Sequence, residues 1–142
     1  MLLKAKELEN IICRSNISFS KKSVAYKEYL DIIKRGAYNG IAEAQYQYGQ
    51  QFEHMSWLYI QNPKYNPRKT FYWYSKACNK NHPAACNNLA YHYETGLGCK
   101  KNITKALKLY KKAAELGDYS GKKNYSIMLR DTSPGGKYHK TK

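Results

Sequence analysis

Four cysteines, four histidines and a Gly-Leu-Gly-Cys-Lys-Lys stretch are the places where this 142-residue chain could do chemistry. A zinc site needs thiolates or imidazoles brought together by short, regular spacings. Cys13 and Cys99 complete no C-x-x-C pattern, and His82 and His92 stand ten positions apart on different turns. No metal or other cofactor is expected. His92, between Tyr91 and Tyr93, has the pKa class of a general base, but the sequence gives it no partnered nucleophile and carboxylate that would complete a catalytic unit. Gly96-Leu97-Gly98 with Lys100 and Lys101 suggests a phosphate loop only superficially. Such a loop follows a strand and ends in Lys-Ser/Thr, whereas here Asn102 follows and a helical pattern precedes. The expectation is a protein that is not an enzyme, with no small-molecule substrate evident.

The charge balance points to a macromolecular partner instead. Twenty-five Lys and Arg against ten Asp and Glu leave a formal charge of +15, which draws acidic proteins, nucleic acids or anionic surfaces. Only Arg14, Arg35, Arg68 and Arg130 are arginines, and base-edge readers lean on bidentate Arg. Another protein with an acidic surface is the expected partner, with nucleic acid as the alternative, through Lys-rich faces and Tyr stacking. No stretch reaches the roughly 18 to 20 apolar residues of a membrane span, and Lys4, Lys6, Glu7 and Glu9 interrupt the start. No membrane insertion is expected. The location expected is cytoplasmic, or secreted or periplasmic if a signal segment precedes this sequence.

The elements follow from an internal repeat. Tyr74-Ser-Lys-Ala-Cys-Asn-Lys-Asn81 aligns without gaps on Tyr110-Lys-Lys-Ala-Ala-Glu-Leu-Gly117, and the same shift of 36 takes Leu89 to Tyr125. Pro83 suits a first helical position and Gly96 a helix end, so PAACNNLAYHYET reads as one helix. Asn102 then caps a second, in which Ile103, Ala106, Leu107, Tyr110, Ala113 and Ala114 recur at three- and four-residue steps until Gly117. The preceding copy starts at IAEAQYQYGQQF and resumes at Asn66-Pro67, another cap and first-turn proline. Its long connection carries His54, Trp57, Tyr59 and Tyr65, which are expected to pack over the repeat. EYLDIIKRGAYNG matches KALKLYKKAAELG, which makes it a second helix whose first is supplied by LLKAKELENIIC. The fold expected is all-α: a cap over residues 1–22, a repeat array over 23–130 with full units at 42–82 and 83–117, and a flexible basic tail over 131–142.

These residues resemble the Sel-one-like repeats, relatives of the tetratricopeptide repeats. Ala42-Glu-Ala-Gln-Tyr46 and Leu89-Ala-Tyr-His-Tyr-Glu-Thr-Gly-Leu-Gly98 are similar to that family's first helix and Gly-x-Gly turn, and Lys105 to Gly117 to its second helix. The 42–82 copy lacks the Gly-x-Gly turn. The resemblance implies a right-handed solenoid of antiparallel helix pairs whose first helices line a concave protein-binding face. By position, that face would present Glu43, Tyr46 and Gln50, then Asn87, Tyr91 and Glu94, then Lys123, Ile127 and Arg130. It also implies a disulfide between Cys78 and Cys86, eight positions apart, as in the family's secreted cysteine-rich branch. Reduced thiols packed as small core residues are nonetheless the state expected of the pair, because the location expected is cytoplasmic. The function expected is a protein-binding adaptor, in its sharpest form an immunity or antagonist protein that neutralises a toxin or effector.

Overall fold

The computed structural model describes residues 2–53 and 62–139. Seven helices follow in chain order: α1 (Leu2–Cys13), α2 (Phe19–Tyr38), α3 (Ala42–Gln50), α4 (Pro67–Asn79), α5 (Pro83–Thr95), α6 (Ile103–Glu115) and α7 (Tyr119–Thr132). No strand occurs among the described residues. Each helix packs on its chain neighbours, and α5 also touches α7. The result is an all-α, tetratricopeptide-like solenoid in which α3, α5 and α7 are first helices and α2, α4 and α6 are second helices.

The helix ends lie where local chemistry stops or starts them. Asn66 and Asn102 each accept a hydrogen bond from the backbone N–H three residues on, at 3.1 and 2.9 Å, and so satisfy a donor that the first turn leaves unpaired. His82 does the same for α5 through Nδ1 (3.2 Å), and Asp118 for α7 (2.6 Å). Gly96 ends α5 at φ 74°, a left-handed conformation that favours glycine.

Packing rests on alanines set among aromatic rings. Ala44, Ala77, Ala85, Ala90, Ala106 and Ala113 are fully buried, which lets neighbouring helices approach closely, and Tyr74, Tyr110, Trp73 and Met128 fill the space between them. A second cluster, built on Leu8, Tyr29, Ile32 and Ile33, joins α1 to α2. The leading segment is therefore a paired first helix for α2.

Cys78 in the last turn of α4 and Cys86 in the first turn of α5 form a disulfide instead of the expected reduced pair, because the turn between the helices brings their Cα atoms to 4.7 Å. The bond crosses from one repeat to the next. Closing so short a loop stabilises by about 2–3 kcal/mol in the chain-entropy account. Cys78→Ala with Cys86→Ala is expected to lose that amount in urea melts, and dithiothreitol should bring the parent to the same midpoint while leaving the double variant unmoved. A parent indifferent to dithiothreitol would mean that the cross-link adds nothing.

The ends depart from the sequence expectation. Helix α2 starts at Phe19 rather than near residue 23, and α7 continues to Thr132. Residues 133–139, expected as a flexible tail, fold back. Gly135 at φ 83° turns the chain, Tyr138 N–H donates to the Asp131 carbonyl (2.7 Å), and the Tyr138 ring packs beside Tyr110 and Met128. An aromatic two residues past a glycine pair was the overlooked signal. Of the long connection, His54, Trp57 and Tyr59 lie outside the described residues, while Asn62 donates to the Gln51 and Glu53 carbonyls, both at 2.9 Å, and thereby ties the loop's end to α3.

Candidate protein-binding groove

A cavity of about 380 Å³ opens on the inner face between α5, α7 and the chain that follows α3. Successive helical positions bring Asn87, Asn88 and Tyr91 of α5 to its wall, and Asn124 of α7 faces them. Asn124 Nδ2 donates to Asn87 Oδ1 (2.9 Å), and Asn87 Nδ2 donates to Asn88 Oδ1 (3.2 Å), which makes an amide chain from one repeat unit to the next. Such amides offer both donors and acceptors, as a peptide main chain does. Tyr91, 53% exposed, adds a large apolar ring at the rim.

Each repeat also holds a carboxylate on this face through a core tyrosine. Tyr74 donates its hydroxyl to Glu53, and Tyr110, its counterpart 36 residues on, donates to Glu94 Oε2 at 2.8 Å. Burial first, and the partner carboxylate second, push both phenols well above the ordinary tyrosine range, so they stay protonated donors. Tyr138 reaches the other Glu94 oxygen at 3.0 Å. Glu94 and Asp131, with Tyr91, Asn124 and Ile127, line an adjoining cavity of about 240 Å³. Carboxylates thus line the inner cavities of a strongly basic chain, with Asp131 paired to Arg130 (3.4 Å).

Of the residues expected on the concave face, Asn87 and Tyr91 meet in the groove, and Glu94 and Ile127 meet beside it. Tyr46 does not stand free. Its ring stacks on Tyr74 (5.5 Å) and on His82 (4.6 Å), so it is half buried as packing between α3, α4 and the start of α5. Glu43 holds His82 Nε2 (2.8 Å) and lines a separate cleft with Leu3, Lys6 and Glu9, and Gln50 donates to the Tyr46 hydroxyl (3.2 Å). Lys123 and Arg130 line neither inner cavity; Asn124 and Asp131, one position further on, do. Glu53, Asn88 and Tyr65 complete the groove. Asn88 and Asn124 share one position at the 36-residue shift, a match legible in the sequence.

The residues with chemical potential in the sequence are engaged in the fold. His92 is buried, which pushes its pKa down, and its Nδ1 is engaged with the Leu97 carbonyl (2.7 Å), where it holds the Gly-Leu-Gly turn. Cys99 Sγ lies against the His92 carbonyl (3.3 Å), and burial raises its thiol pKa, the reverse of what a nucleophile needs. Among the described residues no group of three His, Cys, Asp or Glu could hold a metal ion.

A solenoid of paired helices with this inner face is the architecture of a helical repeat scaffold, and the comparisons agree. The Sel1 repeat matches residues 42–82 and 83–118, and the chain belongs to the Sel1 repeat family. Proteins of this kind are generally protein-interaction scaffolds without catalytic activity. A Sel1 repeat protein from Oxalobacter formigenes is 28% identical over 76% of this chain and 41% of its own, with a TM-score of 0.64. Two further solved structures share the fold. c5321, a protective antigen of uropathogenic Escherichia coli, is 18% identical over 94% of this chain and 27% of its own, with a TM-score of 0.70. Helicobacter pylori cysteine rich protein B is 21% identical over 87% of this chain and 90% of its own, with a TM-score of 0.64. The chain thus spans well under half the length of the first two. No curated protein matches it at a significant level.

Proposed function

We propose that the chain is a non-catalytic adaptor whose α5–α7 groove binds an extended segment of another protein. The Asn87–Asn124 bridge beside the exposed Tyr91 ring carries this reading: amides match a main chain and a rim aromatic supplies contact area. Glu53, Glu94 and Asp131 around the groove favour a segment that is polar or cationic where it touches them. The charge of +15 acts at longer range, through the outer lysines, and steers acidic partner surfaces toward the molecule. An antagonist whose groove occupies a segment of a toxin or effector is the sharper form of the same reading. The Cys78–Cys86 bond favours an oxidising compartment, secreted or periplasmic, over the cytoplasm.

Quantitative affinity capture from the native source tests the groove. Tyr91→Ala is expected to lower recovery of the specific partner by more than tenfold in affinity, about 1.4 kcal/mol. Lys108→Glu on the outer face of α6 should change chiefly the salt dependence. Tyr91 is the cleaner site than Tyr46, whose stacked ring would confound lost binding with lost folding. Normal capture by Tyr91→Ala together with loss in Lys108→Glu would overturn the groove.

A further inference from the structure

A further cleft, of about 330 Å³, lies on the outer face between the second helices α2 and α4, away from the peptide groove. Its walls are aromatic and its charges are all positive. Tyr38 at the end of α2 and Tyr72 of α4 are 68% and 51% exposed, although large rings are usually covered. Both stand nearly perpendicular to the buried Trp73 ring between them, at 77° and 81° with centroids 5.1 Å away in each case. The Trp edge contacts fix the two rings while leaving them open to a stacking partner.

Lys76 and Lys80 line the same cleft with Asn79, and no carboxylate does. Lys76 Nζ sits 5.1 Å from the Tyr72 ring centroid, and Lys80 bridges to the Gly40 carbonyl. At the floor, Gln45 donates to the Ala37 carbonyl (3.2 Å) and leaves its own Oε1 buried without a donor, an unmet acceptor. The inner cavities, by contrast, each include Glu or Asp. Further exposed lysines stand on α4 and α6 at Lys69, Lys105, Lys108 and Lys111, the last beside Glu115 (3.9 Å), while on α2 Lys27 and Lys34 are interspersed with exposed Glu28 and Asp31.

We propose that this outer cleft binds single-stranded nucleic acid, with a base stacked on Tyr38 or Tyr72 and the adjoining phosphates against Lys76 and Lys80. Three features select that occupant. Fixed, open aromatic faces take bases of any sequence. Cations within the same cleft match the phosphates on either side of a stacked base. Exposed lysines on α4 and α6 add positive charge beyond the cleft, which a long polyanion can use and a single phosphorylated side chain would not. A duplex keeps its bases inside the stack and gains only the charge attraction. The site is independent of the peptide groove.

Fluorescence anisotropy with a labelled oligodeoxycytidine of about 12 nucleotides tests it against a duplex of equal length and against phosphatidylserine vesicles. The parent should bind the single strand more tightly than the duplex. Tyr38→Ala with Tyr72→Ala should weaken single-strand binding about tenfold or more, while the Tyr→Phe pair, which keeps the rings, binds as the parent does. Lys76→Gln with Lys80→Gln should lower the slope of log affinity against log salt by about 1.4, for two phosphates lost. Tyr91→Ala should bind the oligonucleotide normally. Parent-like binding by the Tyr→Ala pair, equal affinity for duplex and single strand, or binding to vesicles without the oligonucleotide would each overturn the proposal. If the Tyr→Ala pair melts below the parent, the lysine salt slope decides, and an unchanged slope overturns it.

Discussion

Replacing Ala106 with Asp is expected to destabilise the chain by about 4 kcal/mol, enough to unfold its C-terminal half at moderate temperature. Ala106 is fully buried where α6 crosses α5 and α7, among Ala90, Tyr110 and Met128. A methyl group fits there because nothing larger is accommodated between the helices. An aspartate must either bring an unpaired charge into an apolar seam or arrive protonated, which costs free energy at neutral pH, and both routes push the helices apart. Urea melts read the loss, with Lys108→Asp as a control, since that exposed position on the same helix should change stability by less than about 0.5 kcal/mol. Equal melting of Ala106→Asp and parent would show that α6 turns a different face to its neighbours.

Gly98→Ala is expected to cost about 3 kcal/mol, and Gly96→Ala only about 1 kcal/mol, although both glycines hold positive φ, 69° and 74°. The shared part is the left-handed backbone, which an L side chain adopts at a cost of about 1–2 kcal/mol. The difference is what a side chain would meet. A Cβ on Gly98 runs into the Pro67 carbonyl and comes within 2.9 Å of the Arg68 nitrogen, both backbone atoms in the first turn of α4. On Gly96 the nearest atom is the Lys101 Cβ at 3.3 Å, a tight contact that a shift of a few tenths of an ångström relieves. Thermal melting of the two single variants separates the terms, and equal losses would refute the close approach of the turn to α4. This turn seats one repeat on the start of the preceding repeat's second helix, so it acts as a spacer as much as a bend.

Much of this architecture is legible in the sequence. The Asn66 and Asn102 caps, the Pro67 and Pro83 first turns and the glycine stops are short-range signals with fixed stereochemistry, and the 36-residue shift carries them from one unit to the next. The binding face is less legible. One residue of offset turns a helical side chain by about 100°, which is the difference between Lys123 outside the groove and Asn124 within it. Tyr46 is packed because the His82 ring, from the next repeat's cap, lies over it, a contact that no local periodicity reports. Glu53 joins the groove through Tyr74, 21 residues away across the long loop.

The disulfide between α4 and α5 gives the array a fixed joint. Linear repeat proteins behave as chains of units coupled only to their neighbours, so fraying that starts at an end advances one junction at a time. At this junction the two units stay tethered by a loop of a few residues even when both helices have melted. Their re-pairing is then an intramolecular event at high effective concentration. Opening should therefore stall at the clasp from either side. The curvature of the superhelix is pinned there too, immediately behind the wall that carries Asn87, Asn88 and Tyr91. The groove's width would thus vary least at its middle, and adaptation to a bound segment would come from α7.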